Sequence, residues 1–198
     1  MHALRTAGWG IGIIYATVPS YWLVVHARAR SWGRRARAPL LLVGPLWLGM
    51  WVAAGALTWR WRQLRLYSAA WTWIPGGALM LAGLILYIFA RYDFSTDQVL
   101  GRAELQPDKH EQRLTTGGIR AHLRHPYYLG HLCELLGWTL GTGLVVLYGL
   151  TAFALLTGFF MVRAEERELE ARFGDAYRAY KTKTAALLPI GGRRLRGQ

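Results

Sequence analysis

Residues 127–162 read YYLGHLCELLGWTLGTGLVVLYGLTAFALLTGFFMV. Within these 36 residues Glu134 is the one side chain with a full formal charge. The stretch is too long for a single membrane span, and Gly141-Thr142-Gly143 divides it at a step suited to a tight antiparallel turn. Counted from that turn, Tyr127 lies about 17 residues back and Glu165 about 20 residues on, so at 1.5 Å per residue both ends return to one depth. The expectation is a helical hairpin that crosses an apolar layer twice.

Three more apolar runs precede it, at about 8–27, 39–59 and 69–90. Each has about the 20 residues that a bilayer core requires. The first could be a cleaved signal segment, but it is as long as a full span and contains Pro19 and Trp22, so an uncleaved helix is expected. The fold class read here is all-α: a polytopic bundle of about five transmembrane helices, with the last two at 127–143 and 144–162. A stretch from Arg163 to Lys183 places Leu169, Phe173, Ala176, Tyr177 and Tyr180 at spacings of three and four, which predicts an amphipathic helix at the membrane surface. With no internal repeat or low-complexity linker, residues 1–198 form a single domain in this reading.

The chain has 198 residues, 53% of them hydrophobic, and a formal charge of +13. The charges sit in a few short stretches and leave the runs between them bare. Five Lys and Arg lie between the first two runs, six between the third and fourth, and nine after the fifth; the N-terminus has one, and the loop between the second and third runs has three. With five spans the three rich segments share one side, so the positive-inside bias puts the C-terminus in the cytoplasm and the N-terminus outside. Trp59, Trp61, Trp71 and Trp73 flank the poor loop as an interfacial belt would. The basic excess serves orientation and anionic headgroups, and nucleic acid is not expected as a partner. One cysteine, Cys133, excludes an intrachain disulfide framework, and no metal-ligand spacing appears, so no metal site is expected.

The chemistry-bearing residues gather around the hairpin. Gly117 and Gly118 supply backbone freedom before Arg120, and Pro126 suits the first turn of a helix. Arg124 and His125 then stand at the mouth of the fourth span, where free N–H groups favour negative charge. A plain membrane-entry loop anchored by arginines is the bland alternative. Inside the span, His131 and Glu134 share a helix face, and an ionisable pair in an apolar segment is a functional hypothesis by default; a structural pair bonded to neighbouring helices is the alternative. Beyond the fifth run Glu165 and Glu166 should face His125 across the hairpin. Carboxylates there could hold ribose hydroxyls or an ammonium, and Arg120, Arg124 or His125 a carboxylate. S-adenosyl-L-methionine carries all three groups. Gly137 and Gly141, with Gly76, Gly77 and Gly83, read as close helix packing.

From Thr115 to Ile190 the chain resembles the integral membrane methyltransferases grouped as isoprenylcysteine carboxyl methyltransferases and phospholipid N-methyltransferases. The matching pieces are Gly117-Gly118-Ile119-Arg120, Arg124-His125-Pro126-x-Tyr128-x-Gly130, Glu165-Glu166, and Arg172-Phe173-Gly174-Asp175-Ala176-Tyr177 with Tyr180, closed by Leu188-Pro189-Ile190. The resemblance implies a cofactor region at about 115–190. In it His125, Tyr128 and Gly130, with Glu165 and Glu166, line a pocket for S-adenosyl-L-methionine between the last two spans. In the phospholipid branch a Gly-x-Gly in the preceding span also belongs to that pocket; Leu81-Ala82-Gly83 keeps its second glycine.

The expected activity is methyl transfer to a membrane-borne acceptor, a lipid or lipidated small molecule. If the acceptor is a carboxylate, Arg120 or Arg124 orients it; if it is a phospholipid amine, His131 or Glu134 is the candidate base. An NADPH-dependent membrane reductase of related fold and a non-catalytic membrane protein are the competing classes. Oligomeric state is not read from the sequence.

Overall fold

The computed structural model describes residues 2–28, 42–92 and 113–188. The start of the second apolar run at 39–41, the basic residues Arg30, Arg34, Arg35 and Arg37, the turn formers Gly101 and Pro107, and Pro189 with Ile190 lie outside them.

Among the described residues the regular secondary structure is helical, with two isolated β-bridges and no strand, and five of the helices are apolar. They are α1 (His2–Ala27), α2 (Gly44–Thr58), α3 (Trp73–Tyr92), α4 (Pro126–Thr142) and α5 (Val145–Phe173); a short α6 (Asp175–Lys183) follows. By length and composition α1, α5 and the segment Ala70–Tyr92 can each cross a membrane. The described part of α2 has 15 residues and α4 has 17, so at 1.5 Å per residue they are shorter. Large apolar side chains project outward along the bundle, among them Leu46, Val52, Leu57, Leu81, Phe89, Leu156 and Phe160. A water-soluble surface would not carry so many; hydrocarbon accepts them.

Packing is organised by pairs, α3 against α4 and α1 against α5. Glycines draw the first pair together. A Cβ on Gly76 would sit 2.8 Å from the Gly137 carbonyl, one on Gly83 2.8 Å from the Gly130 carbonyl, and one on Gly141 2.6 Å from the Trp73 ring. Seven-residue spacing on both helices (76 and 83, 130 and 137) keeps these contacts on one seam. Ala16, Leu135 and Ala154 close the centre where α1, α4 and α5 meet. On the far side of α1, Trp47 and Trp51 of α2 donate their indole N–H groups to Thr17 Oγ1 at 3.0 and 2.9 Å.

One end of the bundle is the tight turn. Gly143 ends α4 with φ 66°, a conformation glycine adopts without strain, and a Cβ there would meet Tyr67 at 2.8 Å. The loop before α3 is stitched to this turn by Leu66 N–H to Gly143 O at 2.9 Å and Val145 N–H to Leu64 O at 3.0 Å. Trp59, Trp61 and Trp71 are exposed at this end, as a belt requires, whereas Trp73 turns inward onto Gly141 and Trp138.

The surface helix expected over 163–183 is two pieces. Residues up to Phe173 continue α5 without a break, and Gly174, at φ 55°, separates them from α6. The change from apolar to charged composition after Val162 marks where hydrocarbon would end. It does not end the helix, because backbone hydrogen bonding is indifferent to that change.

Candidate functional site

The site forms at the opposite end, where the entry to α4 meets the polar extension of α5. Two backbone bonds fasten it: Arg124 N–H donates to Ala185 O at 2.8 Å, and His125 N–H to Ala186 O at 3.0 Å. These bonds dock the segment that follows α6 against the residues just before α4. Pro126 is the first residue of α4, as its missing N–H allows.

The juxtaposition expected across the hairpin is present. His125 is 4% exposed and lies between the two carboxylates, Nδ1 3.2 Å from Glu165 Oε2 and Nε2 3.4 Å from Glu166 Oε1. Glu166 Oε1 only accepts, so Nε2 carries hydrogen, while Nδ1 stands at ion-pair distance from Glu165; two flanking carboxylates favour the imidazolium. Burial works against that charge, but Glu165 and then Glu166 outweigh it and raise the His125 pKa. Burial also disfavours ionised Glu165, and the charge of His125, then that of His26, and a Tyr128 hydrogen bond overcome this to hold its pKa at about 2. The Tyr128 ring stacks on His125, with centroids 5.5 Å apart and planes 15° apart.

Glu166 is saturated by cations. Arg124 donates to its Oε1 from Nε at 2.9 Å and from Nη2 at 2.5 Å, and Lys181 of α6 meets its Oε2 at 2.8 Å. Arg124 Nη1 also donates to the carbonyls of Lys181, at 3.1 Å, and Thr184. One guanidinium thus ties α5, α6 and the strap behind it into a unit. A second ion-pair chain borders the first: Glu168 pairs with buried His26 of α1 at 3.1 Å and with Arg172 at 3.0 Å.

The other expected site residues sit elsewhere. Buried Arg120 donates from Nη1 to Ala90 O at 3.1 Å and so holds the end of α3, while its own carbonyl accepts from Tyr180 at 2.6 Å. Gly118 opens a 3-10 turn (Gly118–Ala121) at φ 54° and is exposed. Gly83 and Gly130 face each other across the α3–α4 seam. His131 and Glu134 lie deeper in the bundle, about 9 and 13 Å along α4 from His125 at 1.5 Å per residue. Both His131 nitrogens are engaged, Nε2 with Tyr15 O at 2.7 Å and Nδ1 with the Tyr87 hydroxyl at 3.2 Å, and the Tyr15 ring stacks on it. Glu134 rests against Gly83, and among the described residues it has no hydrogen bond or ion pair.

The sequence reading missed His26, Lys181 and the role of Tyr177. His26 carries no local signal, because it ends an apolar helix beside an arginine-rich loop. Lys181 falls on the helix whose one-sided pattern was legible, but its partner lies 15 positions back, across the break at Gly174. Tyr177, in the Phe-Gly-Asp-Ala-Tyr stretch, is buried with a hydroxyl that reaches no partner.

Comparison with known proteins agrees with this architecture. The phospholipid methyltransferase family model matches residues 71–176, from the segment before α3 to the start of α6. An uncharacterized protein of Haemophilus influenzae is 44% identical over 57 residues, 28% of this chain and 90% of that protein. The protein-S-isoprenylcysteine O-methyltransferase of Schizosaccharomyces pombe is 37% identical over 82 residues, 39% of this chain and 33% of that protein, so the match spans about a third of its length. No solved structure matches. Long apolar helices and a family match over more than half the chain lead to one conclusion: this is an integral membrane methyltransferase, a member of the phospholipid methyltransferase family.

Proposed function

We propose that the chain transfers a methyl group from S-adenosyl-L-methionine to a membrane-borne acceptor, either a phospholipid amine or an isoprenylcysteine-type carboxylate. The observation that carries this reading is the His125 imidazolium held between Glu165 and Glu166 at the polar end of the hairpin. The donor set there fits the cofactor: buried carboxylates suit ribose hydroxyls or an ammonium, and the cationic Arg124, His125 and Lys181 suit a carboxylate. When bound, the cofactor supplies an electrophilic methyl group on a sulfonium.

The residues divide the remaining work. Arg124, anchored to Glu166 and to the carbonyls of Lys181 in α6 and Thr184 just beyond it, keeps the polar wall in place. Tyr128 and His125 form a stacked pair that excludes water from the acidic doublet. Five helices cross the bilayer in this reading, with the site end on the cytoplasmic side as the basic loops require. A lipidic acceptor would then enter sideways from the inner leaflet. An amine acceptor must first lose a proton, and Glu134, deep in α4 and without an ion-pair partner among the described residues, supports the assignment as base better than His131, whose nitrogens are occupied.

The test uses purified protein in lipid nanodiscs with methyl-labelled S-adenosyl-L-methionine. One sample contains an amine-bearing phospholipid, the other an S-prenylated cysteine with a free carboxylate. Label in the phospholipid or in the prenylcysteine ester names the acceptor class. Label in neither, with no binding of the cofactor, overturns the reading.

A further inference from the structure

Tyr177 lies one turn into the chain after Gly174, at 1% exposure, and among the described residues its hydroxyl has no hydrogen-bond partner. Tyr180, three residues on, shows that this is not a property of the helix: its hydroxyl donates to the Arg120 carbonyl at 2.6 Å. A buried hydroxyl left unpaired is destabilising, and such groups call for an explanation.

The surroundings supply one. Burial first, and then the nearby Glu166 charge, hold the phenol protonated, so it is a donor in search of an acceptor. Glu166 does not serve, since Arg124 and His125 already crowd its Oε1 and Lys181 takes its Oε2. The charges that bear on the hydroxyl are those of Glu166, Arg124 and Glu165, a mixed set in which two carboxylates stand beside one guanidinium. A spare donor among charges of both signs is a setting for a zwitterion, whose ammonium the carboxylates can meet and whose anionic oxygen the hydroxyl can meet.

The geometry points to Tyr177 as a ligand-contacting residue whose hydroxyl donates to the carboxylate at the amino-acid end of the bound cofactor. This rests on the methyl-donor reading above. In that arrangement the adenosyl end lies away from Tyr177, so the hydroxyl discriminates for the amino-acid end alone. The free protein carries an unpaired hydroxyl so that the loaded protein can use it.

Tyr177→Phe removes the hydroxyl and keeps the ring. Its affinity for S-adenosylhomocysteine is measured by titration calorimetry beside that for the decarboxylated analogue, which lacks only the carboxylate. The expected result is binding of S-adenosylhomocysteine weakened about tenfold, the size of a hydrogen bond to a charged group. The decarboxylated analogue should bind variant and parent alike, and the ligand-free melting temperature should hold or rise. Tyr180→Phe is the comparator: its melting temperature should fall, because the Arg120 carbonyl loses its donor. Three results would overturn the inference: undiminished affinity of Tyr177→Phe for S-adenosylhomocysteine, equal weakening for both ligands, or a lower ligand-free melting temperature. A parent protein that binds neither nucleoside would instead sink the methyl-donor reading, and the inference with it.

Discussion

His131 donates its Nε2–H to the main-chain carbonyl of Tyr15, 2.7 Å away on α1. In an α-helix that carbonyl would accept from the N–H of residue 19, and residue 19 is proline. Pro19 therefore creates the vacancy that His131 fills. A kink-forming residue on one helix and an imidazole on another are matched, in a layer where water is scarce and an unpaired carbonyl is costly.

The match can be measured by a double-mutant cycle. His131→Leu should lose about 1–3 kcal/mol, because the Tyr15 carbonyl is left unpaired. In the Pro19→Ala background the alanine N–H restores the helical bond, and the same His131→Leu change should cost about 1 kcal/mol less. Thermal unfolding in detergent reads both values. Strict additivity would show that the two residues are independent.

Glu134 tests the base assignment. Glu134→Gln preserves shape and removes the proton acceptor, so turnover with an amine acceptor should fall by about 10²-fold or more, the usual share of a general base. Binding of S-adenosylhomocysteine should stay as it is. Undiminished turnover would remove Glu134 from the chemistry.

The two adjacent glutamates should behave differently. Glu166 holds Arg124, His125 and Lys181 together, so Glu166→Gln should destabilise the ligand-free protein by about 3 kcal/mol, as breaking a buried ion pair does. Among the described residues Glu165 pairs with His125 alone at salt-bridge distance, and Glu165→Gln should lose less stability. Equal losses of melting temperature would refute this division.

The pH dependence of ligand-free stability follows from the same triad. His125, raised above its ordinary 6.5, contributes fully below that pH and loses its contribution as pH rises through the elevated value. Glu165, lowered from 4.5 to about 2, contributes fully above 4.5 and loses it as pH falls toward 2. Melting temperature in detergent should therefore be flat between about pH 4.5 and 6.5 and decline on either side. A rise from pH 6.5 to 8.5 would contradict the cationic imidazole.

Much of the architecture was legible in single features. The bare apolar runs predicted the helices, the Gly141-Thr142-Gly143 step predicted the turn, and equal arm lengths brought His125 to Glu165. Gly76, Gly83 and Gly137 were legible as packing, since small residues are what close helices require, whereas Gly130 read as a pocket residue and its place on the same seam was not legible. Boundaries were less so. The end of α5 followed Gly174 and not the hydropathy change, because a helix stops where its backbone geometry is broken.

Partnerships between distant residues were not legible. Arg124, Arg120 and His125 read alike as basic groups near a membrane surface, yet one locks Glu166, one holds the end of α3 and one bridges two carboxylates. His131 and Glu134 read as a pair, but the tertiary structure separates their roles by giving His131 two partners on other helices. What the sequence by itself determined was the membrane class and the hairpin, since these depend on hydropathy and local turn chemistry. What only the tertiary structure decided was which charges meet, because an ion pair depends on where remote segments such as α6 and the end of α1 come to rest.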